Sequence, residues 1–165
     1  MSDPELLALA KRVGRCLEEH SLLLITAESC TGGWVAQVVT AVPGSSDWFD
    51  RGFVTYSNAA KQQVLGVAAD TLECFGAVSE PVVREMVSGA LAKDPQRFAV
   101  AVSGVAGPGG GSKEKPVGTV CFAWGRTDCG IDSATRWLPG DREAVRRQSV
   151  AIALQGIVDR LNNAK

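Results

Sequence analysis

The chain has 165 residues, of which 45% are hydrophobic and 21% charged, with a formal net charge of −1. That length and apolar content suit one compact domain over residues 1–165 with a substantial core. Lys and Arg are mixed with Asp and Glu and form no basic stripe, which disfavours nucleic acid as a partner; no apolar run is long enough to cross a bilayer, which disfavours a membrane.

Residues 4 to 19 read as an amphipathic helix, because Leu6, Leu7, Ala10, Val13, Gly14 and Leu17 recur at helical spacing after Pro4. Met1-Ser-Asp-Pro-Glu5 leads straight into that amphipathic pattern, and with no membrane-crossing run the protein is expected to be soluble and cytoplasmic. Leu22 to Ala27 has strand character and breaks into Glu28-Ser-Cys-Thr-Gly-Gly33. Helical spacing returns from Thr31 through Val39, and Val42-Pro-Gly-Ser-Ser46 forms a turn.

Arg51 to Tyr56 is β-rich, and Ser57 or Asn58 can cap a helix that carries Lys61 and ends near Gly66. A further helix is predicted over 79–93, with Ser79 as cap and Pro81 in its first turn. Ala99–Ser103, Val117–Trp124 and Ile131–Leu138 read as strands, the last two as a hairpin, and Asp141 caps a long terminal helix through Leu161. Helices alternating with apolar strands predict an α/β fold, a three-layer α/β/α sandwich with a mixed, mostly parallel sheet. Ligands of such sheets sit beyond the carboxyl ends of strands, where the segment 28–33 and the glycine-rich Ser103–Gly118 both fall.

A helix start leaves backbone N–H groups without intrahelical partners, so it can bind an anion or stabilise an oxyanion. Ser29 and Cys30 stand at such a start, although serine and threonine also cap helices and Gly32-Gly33 also serves close packing. A serine nucleophile needs a base. The one histidine, His20, lies near the end of the first helix beside Glu19, where a solvated ring is expected, so lysine remains. Lys61 follows Tyr56, the only tyrosine, by five residues, a spacing that brings a strand end and a helix start to one place. A partly desolvated amine there becomes a base; otherwise Lys61 is an ordinary solvated helix residue. A thiol at a helix start can also ionise, which makes Cys30 the second candidate nucleophile.

Three other patterns carry less. Ser112-Lys-Glu-Lys115 matches S-x-x-K by letter but sits in a glycine-rich loop. That loop has neither the closing Gly-Lys-Ser/Thr of a P-loop nor the third glycine of a dinucleotide fingerprint. The five cysteines, at 16, 30, 74, 121 and 129, contain no C-x-x-C pair, so neither a zinc site nor disulfides are expected.

Ala27-Glu-Ser-Cys-Thr-Gly-Gly33, Pro43-Gly-Ser-Ser46, Val54-Thr-Tyr-Ser-Asn58, Lys61, Gly76-Ala-Val-Ser-Glu80, Ser103–Gly111 and Lys115-Pro-Val-Gly-Thr119 together resemble the CinA C-terminal domain family, over about residues 5 to 160. Its enzymes are nicotinamide-nucleotide amidohydrolases. The resemblance implies hydrolysis of the carboxamide of nicotinamide mononucleotide to nicotinate mononucleotide and ammonia. It also implies Ser29 as nucleophile, Lys61 and Tyr56 as its proton-handling partners, no cofactor or metal, and a homodimer or higher homo-oligomer. Larger members carry a preceding domain related to molybdopterin-binding proteins, whose activity is not expected here.

With that substrate, the backbone of Cys30, Thr31, Gly32 and Gly33 would meet the oxyanion, Ser103 and Gly104 would shape the ligand wall, and Arg142 would meet the phosphate. Arg142 reads nearly as well as a surface ion-pair residue. Trp48 and Trp137 suit either an interface or the core. The alternative from another class is a nucleotide-binding regulatory module without turnover, against which the joint presence of Ser29, Tyr56 and Lys61 argues. An adaptor role finds no support in charge or in a basic aromatic surface.

Overall fold

The computed structural model describes residues 2–164. Its order is α1 (Pro4–Glu19), β1 (Leu23–Glu28), α2 (Trp34–Thr40), a 3-10 turn (Ser45–Asp47), β2 (Phe49–Val54), α3 (Asn58–Leu65), α4 (Ala69–Phe75), α5 (Glu80–Leu91), β3 (Arg97–Gly104), β4 (Thr119–Arg126), β5 (Gly130–Trp137) and α6 (Arg142–Asn163). The sheet runs β2-β1-β3-β4-β5. β1 pairs in parallel with β2 and β3, and β4 pairs antiparallel with β3 and β5, so β4 alone runs against the other strands. The expected mixed, mostly parallel α/β sheet is therefore present.

Strand alternation divides the core into two layers. Leu24, Phe98, Val100, Val102, Val120, Phe122 and Trp124 pack with α1, α2 and α6. Ile25, Ala27, Ala99, Ala101, Cys121 and Ala123 pack with the layer built around α5, beside Leu65 of α3 and Leu72 of α4.

Local chemistry accounts for the helix ends. Asp3, Ser57, Ser79 and Asp141 each accept backbone N–H bonds as N-caps, and Pro falls in the first turn of α1 and α5. α5 stops where Ala92 and Lys93 take left-handed φ of 48° and 62°.

Three differences from the sequence reading stand out. α2 begins at Trp34 and not at Thr31, because Gly32 and Gly33 hold φ of 61° and 96°, outside the helical region. β2 runs Phe49–Val54, so Thr55 and Tyr56 lie past its end. Helix α4 has no counterpart in the sequence pattern; Leu72 is its one buried residue, too few to set a period. Trp48 is buried against Gly14, whereas Trp137 is exposed.

Candidate active site

β1 delivers the site through its pleat. Odd-numbered Ile25 and Ala27 face the α5 layer, and Glu28 turns to the opposite side, toward α2. Ser29 follows in the odd phase, and there it meets α3. Lys61 Nζ lies 3.1 Å from Ser29 Oγ and donates to the Thr55 carbonyl at 2.8 Å. Both side chains are secluded: Ser29 is 8% exposed and Lys61 only 1%.

Burial disfavours the ammonium form and holds Lys61 below its ordinary value of 10.5, an effect opposed by the nearby Cys30 thiol. Cys30 is itself buried, which pushes its thiol up to about 12 and keeps it protonated. A neutral amine accepts the Ser29 proton through its lone pair while one N–H remains on Thr55.

Tyr56 goes elsewhere. It is exposed, and its hydroxyl accepts from Arg142 at 3.0 Å; Arg142 also donates to the Gly107 carbonyl at 2.7 Å. Thr55 is buried and Tyr56 exposed, so consecutive residues send the lysine's anchor and the tyrosine ring to different surroundings. Arg142 thus faces a neighbouring loop and Tyr56 and carries no surface ion pair among the described residues.

The turn between Ser29 and α2 is drawn tight. Gly32 N–H bonds to Ser29 O at 3.0 Å and Ser29 N–H to Val102 O at 3.0 Å. Among the described residues, no protein acceptor meets the N–H of Thr31 or Gly33. A cleft of about 590 Å³ opens beside the turn, lined by Thr31, Gly32, Gly33, Trp34, Arg142 and Arg146 among others. A second, of about 490 Å³, lies between Ala106, Pro108, Val117 and Gly140 and shares Arg142. Ser29 lines neither; it is 8% exposed and in contact with Lys61.

Ser103 and Gly104 end β3. Ser103 Oγ donates to Ala77 O at 2.8 Å, tying the approach to α5, and a Cβ at Gly104 would crowd Val120, Cys30 and Thr119. The S-x-x-K pair closes a loop, with Lys115 N–H on Ser112 Oγ at 3.0 Å.

Two further residues at the turn are not singled out by the sequence analysis. Arg146, one turn past Arg142 on α6, donates to the carbonyls of Cys30 and Thr31 at 3.0 and 3.1 Å and lies over the Trp34 ring. Its i, i+4 spacing from Arg142 was the available clue. Glu28 is 1% exposed, and its carboxylate accepts three hydrogen bonds from the turn and from α2.

Fold and site together define a class: an α/β domain with a buried serine and lysine in contact beyond the carboxyl end of β1. The family model for the CinA C-terminal domain matches residues 6–161, and the chain belongs to that family. It is 55% identical over 155 residues to the nicotinamide-nucleotide amidohydrolase PncC of Escherichia coli K12, covering 94% of each chain. It is 55% identical over 150 residues to the protein of the same name from Pseudomonas putida, covering 91% of this chain and 93% of the relative. The crystal structure of competence/damage inducible protein CihA from Agrobacterium tumefaciens superposes with a TM-score of 0.91 at 42% identity, covering 98% of each chain.

Proposed function

We propose that this chain, acting as one domain, hydrolyses the carboxamide of nicotinamide mononucleotide to nicotinate mononucleotide and ammonia. The observation that carries the reading is the contact of 3.1 Å between Lys61 Nζ and Ser29 Oγ in surroundings that favour a neutral amine. The names of the relatives supply the substrate.

Ser29 attacks the carboxamide carbon while Lys61 takes its proton. The tetrahedral oxyanion is met by the free amides of the Cys30–Gly33 turn, a type of donor worth about 3–4 kcal/mol in transition-state stabilisation. Lys61 then returns the proton to the departing ammonia, and a water activated by the same amine cleaves the acyl-enzyme. Lys61, against the nucleophile, is the direct base. Tyr56 orients the substrate from the other side with Arg142, whose guanidinium suits the 5′-phosphate in the adjoining cleft.

Residence in the cytoplasm and assembly as a homodimer or higher homo-oligomer complete the proposal. No helix among the described residues is long and apolar enough to cross a membrane, and exposed Val54, Phe75 and Trp137 offer apolar surface for a second copy.

The test is ammonia release from nicotinamide mononucleotide, in the presence of chelator, by the unaltered protein and by Ser29→Ala and Cys30→Ala. Turnover that survives in Cys30→Ala and disappears in Ser29→Ala supports a serine amidohydrolase. Nucleotide binding without release from the unaltered chain would favour the regulatory-module alternative.

A further inference from the structure

Glu28 immediately precedes Ser29, yet the scheme above makes no use of its buried carboxylate. Oε1 accepts from the Thr31 hydroxyl at 2.7 Å and the Val35 N–H at 2.9 Å, and Oε2 accepts from the Ala36 N–H at 3.0 Å. A charge taken out of water is costly unless hydrogen bonds replace its hydration. Here every one of those donors lies on the turn after Ser29 or in the first turn of α2.

The arrangement answers a local deficiency. The N-cap of α2 is Gly33, which has no side chain to bond the N–H groups that a cap ordinarily meets. Glu28 takes over that duty from the strand, closing a ring of contacts around residues 29–33. Arg146 holds the same turn by its carbonyls, at Cys30 and Thr31. The segment most in need of such fastening is this one, since it contains two consecutive glycines with positive φ.

We propose that Glu28 is a positioning residue for the hydrolysis. Its carboxylate fixes the Cys30–Gly33 turn, so that the free amides of Thr31 and Gly33 stay aimed at the oxyanion while Ser29 Oγ stays against Lys61. The proposal rests on the amidohydrolase reading above and adds to it the element that preorganises the reacting groups. A carboxylate serving only as a helix cap would affect stability and leave turnover by the folded protein untouched.

Glu28→Gln keeps one oxygen for Thr31 and Val35 but turns an amide NH2 toward the Ala36 N–H. At temperatures where the variant is fully folded, kcat for ammonia release from nicotinamide mononucleotide is expected to fall about 100-fold with KM little changed. Thr31→Val, which removes one of the three bonds, should lower kcat in the same direction, and Thr31→Ser, which retains the hydroxyl, should restore it. Amide hydrogen exchange at Val35 and Ala36, whose N–H groups Glu28 accepts, should accelerate in Glu28→Gln and in Thr31→Val.

A folded Glu28→Gln with unaltered kcat overturns the proposal. If that variant does not fold, Thr31→Val with unaltered kcat overturns it equally. If the unaltered protein releases no ammonia, the amidohydrolase reading fails, and exchange decides the remainder: unchanged protection of the Val35 and Ala36 amides in Thr31→Val would remove Glu28 as the fastening of the turn.

Discussion

Replacing Lys61 with methionine probes the serine–lysine pair through activity and stability together. The amine is 1% exposed, with Thr55 O at 2.8 Å and Ser29 Oγ at 3.1 Å as its partners. Among the described residues no carboxylate pairs with it, and burial lowers its pKa from 10.5. Because the folded value lies below the unfolded one, the unfolded chain binds more protons between the two, and stability rises with pH through that window up to about 10.5. Below the window the buried ammonium is a net cost of folding.

Methionine is of similar length and removes that cost. Lys61→Met should therefore flatten the rise in stability and be at least as stable as the unaltered chain near pH 7. Loss of the base should lower kcat by about 10²–10⁴-fold. Lys61→Arg keeps a charge that cannot be given up and should lose activity without gaining stability. Ammonia release against pH, with urea unfolding at about pH 7 and about pH 10, measures both sides. Wild-type kcat in Lys61→Met, or a Lys61-dependent fall in stability as pH rises, would refute the reasoning.

Other outcomes are expected. Arg142→Ala should raise KM for the mononucleotide about tenfold, the worth of one charge-assisted contact, and should leave KM for the phosphate-free riboside nearly unchanged in steady-state assays. Thiol alkylation read by mass spectrometry should label exposed Cys74 and Cys129 in the native protein, with buried Cys16, Cys30 and Cys121 reacting only in denaturant; rapid native labelling of Cys30 would contradict a thiol pushed up to about 12. Gly89→Ala places a Cβ on the carbonyl oxygen of Leu65, the last residue of the helix that holds Lys61, and should cost about 3 kcal/mol in urea unfolding.

The amino-acid sequence by itself determined the layer architecture and singled out Ser29 and Lys61, the pair that the fold brings into contact. Alternating apolar strands, helical spacing, and caps at Asp141, Ser79 and Ser57 are local signals, and each acts within a few residues of where it is read. The hydroxyl- and glycine-rich break after β1 likewise marks a candidate site without knowledge of its surroundings. The same patterns placed the start of α2 at Thr31, because periodicity continues through residues whose φ it does not report.

Tertiary structure alone decided which groups meet. Ser29 and Lys61 are 32 residues apart, and their contact depends on the pleat of β1 and the packing of α3 beside it. Tyr56 pairs with Arg142 across 86 residues, which no spacing in the chain announces. Glu28 and Arg146 were illegible for a related reason: a carboxylate and a guanidinium read as solvated surface groups until folding removes the water and puts the turn between them. Charge and hydrogen-bonding capacity belong to the residue, but whether they act as base, cap or clamp is set by the dielectric and the partners that the fold assembles around them.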